Sequence, residues 1–309
     1  MARSGNRFLL ILVTIASLLA AAGSQPPHLE QLAVKLQSDL ERISKGAAGV
    51  VGLAVLDLSS RQRFGVNDGL VFPQGSAIKI PILIELFHRA GRGDLRLTDR
   101  VPVRSSDQVG GSGLLRHFSN EASELALHDL SILMIVLSDN TATNILIDRL
   151  GMERVSQTMA TLGARETLLR RKMIQPAESA RGNENVSTPR EAVDLMARVG
   201  GCDLPMSAKA CGELRRILEI PKSGAFRDAI PSSVPVAWKP GGLEGVETAW
   251  GIVNLPGAPY AISVMVNYGA DDTSATVREV STVAYRYFSQ IARTTPHGTR
   301  VPLEYVKER

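Results

Sequence analysis

Apolar residues recur at helical spacing between His28 and Lys45, where Leu29, Leu32, Ala33, Leu36, Leu40 and Ile43 share one face. Gly46 and Gly49 end the run. The period then shortens: Val50 to Asp57 and Arg63 to Val66 read as two antiparallel strands joined across Ser59, Ser60 and Arg61. A helix over about 75–90 follows, with Pro81 in its second turn, where the missing N–H predicts a local distortion. Residues 91–125 are loop-rich. Leu125 to Leu137 is apolar nearly all round, which predicts a helix buried at the centre of a domain, and a new helix starts after Asn140. Glu153 to Leu162 reads as helix, whereas Arg165 to Ser187 is a long polar segment of the kind that carries function or moves. Thr188 caps a helix running to Val199 with Pro189 at its first position, and Ser207 to Leu218 forms the next. Three strands, Val234 to Lys239, Ala249 to Leu255 and Tyr260 to Tyr268, precede a last helix near 274–293.

This order predicts an α+β fold, an α/β sandwich in which an antiparallel sheet is flanked by helices and interrupted by an inserted all-α lobe. The sheet lobe draws on about 25–70 and 216–309 and the helical lobe on about 71–215, giving a single domain over 25–309 with a cleft between the lobes.

With 309 residues, 44% hydrophobic and 21% charged, the chain can bury a large core and is not disordered. Its net charge of +4 comes from scattered residues without basic runs or interleaved aromatics, which argues against a nucleic-acid partner. Five histidines include no H-x-x-x-H pair and no companion cysteines, so neither a metal nor another cofactor is expected. Arg3 and Arg7 precede an apolar run from Phe8 to Ala22 that closes on small residues through Ser24. That is the plan of a signal peptide over 1–24, and it predicts export to the periplasm or beyond. An uncleaved anchor is the alternative. In an oxidising compartment Cys202 and Cys211 can pair, and both the bonded and the free state stay open at this point.

The chemistry concentrates on Phe72 to Pro81. Ser76 and Lys79 stand three apart, so a helix puts a hydroxyl and an amine on one face, and a lysine desolvated beside another cation can serve as base. The helix N-terminus adds a positive field where an oxyanion would form. Alone, S-x-x-K is a weak signal and reads more readily as a serine cap with a surface lysine one turn on. It is followed, however, by Ser138-Asp139-Asn140 and by Lys239-Pro240-Gly241-Gly242.

Together these motifs resemble the S-x-x-K, S-D-N and K-T-G signature of class A β-lactamase-type serine hydrolases, within the penicillin-recognising serine enzymes, over roughly 30–290. The resemblance implies Ser76 as nucleophile, Lys79 as general base or its electrostatic partner, and Ser138 as proton relay to the leaving amine. Asn140 would hold the substrate's amide side chain, Lys239 would attract a carboxylate, and Gly241 and Gly242 would line the substrate site. The amides of Ser76 and Gly242 would form the oxyanion hole. Asp139 is expected to bond neighbouring amides, and Gly110 to Leu114, which lacks a phosphate-loop lysine, to wall the cleft.

Two positions depart from the family. Pro240 removes a hydroxyl and an amide donor, so its strand must be an open edge along the cleft. Met173 stands where these enzymes carry the glutamate that activates the deacylating water. Glu178 is the replacement candidate, with Glu184 beside it. The implied function is an exported serine hydrolase that opens β-lactam amides through an acyl-serine. The alternatives are a penicillin-binding D-alanyl-D-alanine carboxypeptidase or transpeptidase and an inactive binding homologue. Its expected partner is a small β-lactam or a peptidoglycan stem peptide, met by a monomer.

Overall fold

A computed structural model describes residues 27–119, 123–270, 272–295 and 297–305; the leader read from 1–24 lies outside them. The chain opens with α1 (Pro27–Gly46), β1 (Val50–Asp57), β2 (Arg63–Val66) and the short β3 (Phe72–Pro73). A 3-10 turn, Gly75–Ile78, leads into α2 (Lys79–Arg92), then β4 (Arg100–Pro102), β5 (Glu124–Ala126), α3 (Leu127–Val136), α4 (Asn140–Leu150) and α5 (Met152–Thr161). After α6 (Pro176–Ala180) and β6 (Val186–Ser187) come α7 (Pro189–Gly201), α8 (Ala208–Glu219) and α9 (Ala225–Asp228). Three strands, β7 (Val236–Leu243), β8 (Val246–Val253) and β9 (Tyr260–Asn267), precede α10 (Thr273–Ile291).

The main sheet is antiparallel throughout, in the order β2-β1-β9-β8-β7, and the helices between β2 and β7 are inserted into it. Its strands are apolar on both sides because both faces are covered. On one face Leu53, Ile262 and Trp238 join Leu40 of α1 and Phe288 of α10. On the other, Trp250 and Met265 share a core with Met196 of α7 and with Ile84 and Leu146 of the helical lobe. The cleft therefore lies between two parts welded by one core.

The centre of the helical lobe is α2, and not the segment 125–137 as its composition predicts. Lys79 to Phe87 is buried without interruption, whereas α3 buries one face and leaves Leu137 41% exposed at its end. Sequence favoured α3 because α2 carries charges, but those charges are used internally. Lys79 belongs to the site described below, and the Glu85 carboxylate accepts a 2.6 Å bond from Thr158 Oγ1.

The expected distortion near Pro81 takes the form of the 3-10 turn. Helix α2 starts only at Lys79, so Pro81 is its third residue, where an N–H has no acceptor within the helix. Strand β7 runs beyond Lys239, its expected end, to Leu243, and a two-residue turn with Gly245 at φ 69° returns it to β8. Pro240 thus stands on an edge strand, where its missing donor breaks no ladder bond. A disulfide joins Cys202 to Cys211 and ties the end of α7 to α8.

Candidate active site

Ser76 lies in the 3-10 turn, and the turn is sutured to the edge of the sheet. Gln74, fully buried, receives Trp250 Nε1 on its side-chain oxygen at 2.9 Å and donates to the carbonyl of Phe72 at 2.8 Å. Its own carbonyl accepts Thr248 Oγ1 at 2.9 Å. Gly241 is pressed against this turn: a Cβ there would stand 2.2 Å from the Gln74 carbonyl oxygen and 2.6 Å from the Ala77 nitrogen. Gly75, at φ 49°, similarly leaves no room for a side chain against the Gly242 nitrogen. The close approach of Gly75 and Ser76 to Gly242 thus depends on two glycines, one on each element.

The second motif arrives on the link between α3 and α4. Ser138 adopts φ 53°, a left-handed conformation uncommon outside glycine. Asp139 then caps α4 by accepting from the Ala142 amide at 2.9 Å, and its other oxygen accepts from Leu114 and Leu115 at 2.7 and 2.9 Å. Asn140 donates to the Gly110 carbonyl at 3.1 Å. Side chains at Gly111 and Gly113 would collide with Asn140 and Asp139, which is why this wall is glycine-rich. Replacing Asp139 with alanine removes a cap and strands two amides, and is expected to cost about 2 to 4 kcal/mol in urea unfolding.

The two lysines meet at Ser138. Lys79 Nζ lies 3.1 Å from Ser138 Oγ, 2.8 Å from the Ser138 carbonyl and 2.9 Å from Asn140 Oδ1. Lys239 Nζ lies 3.1 Å from the same hydroxyl and 3.0 Å from the Pro240 carbonyl. Both amines are buried. Burial lowers Lys79 to about 7, with Asp139 pulling weakly the other way. Lys239 is lowered well below its ordinary range, by burial first and then by the charges of Lys79 and Lys222. Lys222, a residue the motifs do not point to, is lowered to about 7 by burial; its ammonium donates to the Leu218 and Ile220 carbonyls. No local sequence signal marks it, since it follows α8 in an irregular stretch.

Beside Ser76 opens a 220 Å³ pocket bounded by Gly111, Asn140, Met173, Ile174, Gly242 and Leu243, with Arg171 and Asn185 behind. Met173 is buried and faces this space, its backbone held at 2.8 and 3.2 Å by the side chain of Asn144. Among the described residues lining the pocket none is a carboxylate. Glu178 does not reach it, contrary to the role suggested for it: the loop turns into α6, and the Glu178 carboxylate binds Arg181 and Asn183. Glu184 is drawn to Arg171 at 2.8 Å. Ser76, Lys79, Ser138, Asn140, Lys239, Gly241 and Gly242 are thus gathered on one crevice, and Glu178 is left outside it.

The family model described as Beta-lactamase enzyme family matches residues 35–288. The chain belongs to the beta-lactamase enzyme family. Among curated β-lactamases, that of Rhodobacter capsulatus is 27% identical over 180 residues, which are 58% of this chain and 61% of that protein. β-Lactamase L2 of Stenotrophomonas maltophilia is 29% identical over 119 residues, 38% of this chain and 39% of that one. The chain therefore spans less than two thirds of the length of either β-lactamase. Among solved structures, a mutant of PBP-A in an acyl-enzyme complex with penicillin-G superposes with a TM-score of 0.75 at 27% identity, covering 83% of this chain and 97% of that one.

Proposed function

We propose that the protein is an exported serine hydrolase that opens β-lactam amides through an acyl-Ser76 intermediate. The observation that carries this reading is the convergence of Lys79 and Lys239 on one hydroxyl, that of Ser138, beside the turn that holds Ser76. Neutral Lys79 takes the proton of Ser76 as its oxygen attacks the lactam carbonyl. The tetrahedral oxyanion is met by the amides of Ser76 and Gly242, each worth about 100- to 1,000-fold in rate for such donors. Collapse breaks the carbon–nitrogen bond. The proton now on Lys79 passes through Ser138 to the departing nitrogen, leaving an ester on Ser76, an amine on the opened ring and a neutral Lys79. Lys239, 3.1 Å from the same hydroxyl, holds Ser138 Oγ in place from its far side. The apolar run with a small-residue end in 1–24 supports export.

Hydrolysis of the ester needs a base for water, and Met173 cannot take a proton. This favours a second version of the same chemistry, in which the acyl-enzyme persists as in a penicillin-binding peptidase. The likeness to PBP-A, seen as an acyl-enzyme with penicillin-G, supports it. The test is incubation with penicillin-G, followed by intact mass, peptide mapping and lactam absorbance. A single adduct on the Ser76 peptide is expected, decaying slowly. Absence of both adduct and lactam loss, or an adduct on another residue, overturns the assignment.

A further inference from the structure

The pocket beside Ser76 has polar walls that are already engaged and apolar walls that are not. Arg171 gives its guanidinium to Glu184 and to the Lys172 carbonyl. Asn185 accepts from the amides of Arg170 and Arg171 and donates to the Arg171 carbonyl. Asn140 is held between Lys79 and Gly110. What faces the opening unpaired is Ile174, 50% exposed, and Leu243, 40% exposed, with buried Met173 between loop and core.

Ile174 is also held in an unfavourable shape. Its φ of 58° lies in the left-handed region, where a β-branched residue is rare. The conformation is imposed from both sides: Asn144 grips the backbone of Met173, and Gln175 Oε1 accepts the Lys172 amide at 3.0 Å. It brings the Ile174 side chain over Gly111, where an added Cβ would meet its Cδ1 at 3.2 Å. The long loop thus reaches across the cleft to the glycine wall, opposite the end of β7. Strain kept at a cleft in this way points to a use there.

We propose that Ile174 and Leu243 are apolar jaws that select substrates whose acyl substituent is a neutral aromatic or branched apolar group. The inference rests on the acyl-Ser76 reading for its orientation. The leaving nitrogen faces Ser138, so the acyl substituent points the other way, into the pocket between the jaws. Among the described residues lining the pocket the one cation, Arg171, is already paired with Glu184, so an anionic substituent there loses its water without gaining a partner.

Three lactams of one nucleus test this: penicillin-G, the nucleus without an acyl substituent, and an analogue with a carboxylate on the benzylic carbon. Acylation efficiency is read by stopped flow for the wild type, Ile174→Gly and Leu243→Ser, and equilibrium affinity for the same ligands on Ser76→Ala. The wild type is expected to prefer penicillin-G over the carboxylated analogue about tenfold or more, the scale of discrimination a small apolar pocket provides. Each jaw variant is expected to lose about tenfold on penicillin-G while changing little on the bare nucleus. Ile174→Gly is expected at the same time to melt higher, because glycine accepts φ 58° freely. Equal losses on all three lactams, or no wild-type preference, overturn the proposal. If no lactam acylates the wild type, the acyl-serine reading fails, and the affinity ratio on Ser76→Ala still decides whether the jaws select.

Discussion

Replacing Lys79 with methionine is expected to slow acylation of Ser76 about 100- to 10,000-fold, the range typical of a lost general base. Methionine keeps the stem volume in the helical core and removes only the amine, so the loss measures the proton chemistry. Arginine is not expected to rescue, because its guanidinium stays protonated and cannot accept from Ser76. Burial has brought the Lys79 amine to about 7, so near neutrality an appreciable fraction is the free base. The neutral amine has two hydrogens for the Ser138 carbonyl and Asn140 Oδ1, and its lone pair stays available to a hydroxyl. The acylation rate is therefore expected to fall as pH drops through about 7 and to level off above it, with the limb absent in the methionine variant. Single-turnover rates of a chromogenic lactam across pH measure this.

The same shift carries a sign for stability. A lysine whose folded value lies near 7 binds its proton more weakly than the unfolded chain, whose lysines stay near 10.5. Between those values the unfolded state holds more protons, so folding stability gains with rising pH. Lys222, also lowered to about 7, acts in the same direction over the same window. Below about 7 both carry their full burial penalty. Urea midpoints that rise from pH 7 to 9 in the wild type, and rise less in Lys79→Met, are expected.

Much of this was legible in the residues, for physical reasons that can be named. Short, nearly continuous apolar runs in β1, β8 and β9 marked the sheet because each strand is buried on both faces. Thr188 and Pro189 announced α7 because a cap and a fixed φ act locally; Thr188 does accept the Glu191 amide. The three motifs located the crevice because each lies at an element's end, where topology brings ends together. What stayed hidden depends on contacts between distant segments. Gln74 looked like any polar residue before a turn, yet Trp250 and Thr248 make it the peg that fixes the turn. Lys222 owes its role to the packing of α8 on β7. Glu178 was a fair candidate by charge and distance along the chain, and only the short helix α6 turns it away.

Met173→Glu is expected to shorten the life of the acyl-enzyme by about 100- to 10,000-fold, converting a slowly released adduct into turnover. Met173 is buried, lines the Ser76 pocket and is held in register by Asn144, so a glutamate of similar length enters the same space without moving the loop. Its carboxylate would be the first in a pocket whose described lining holds none, and it is the group able to take a proton from water beside the ester. Acylation should change far less, since Lys79 and Ser138 remain in place. The substitution buries a charge near Arg171, which Glu184 already pairs, and a stability loss of about 1 to 3 kcal/mol is the expected accompaniment. Mass spectra following adduct decay after removal of excess penicillin-G give the two lifetimes directly. An unchanged lifetime in a folded, fully acylating variant would mean that water does not approach the ester from the Met173 side, and that the search for the deacylating base belongs with Lys79 itself.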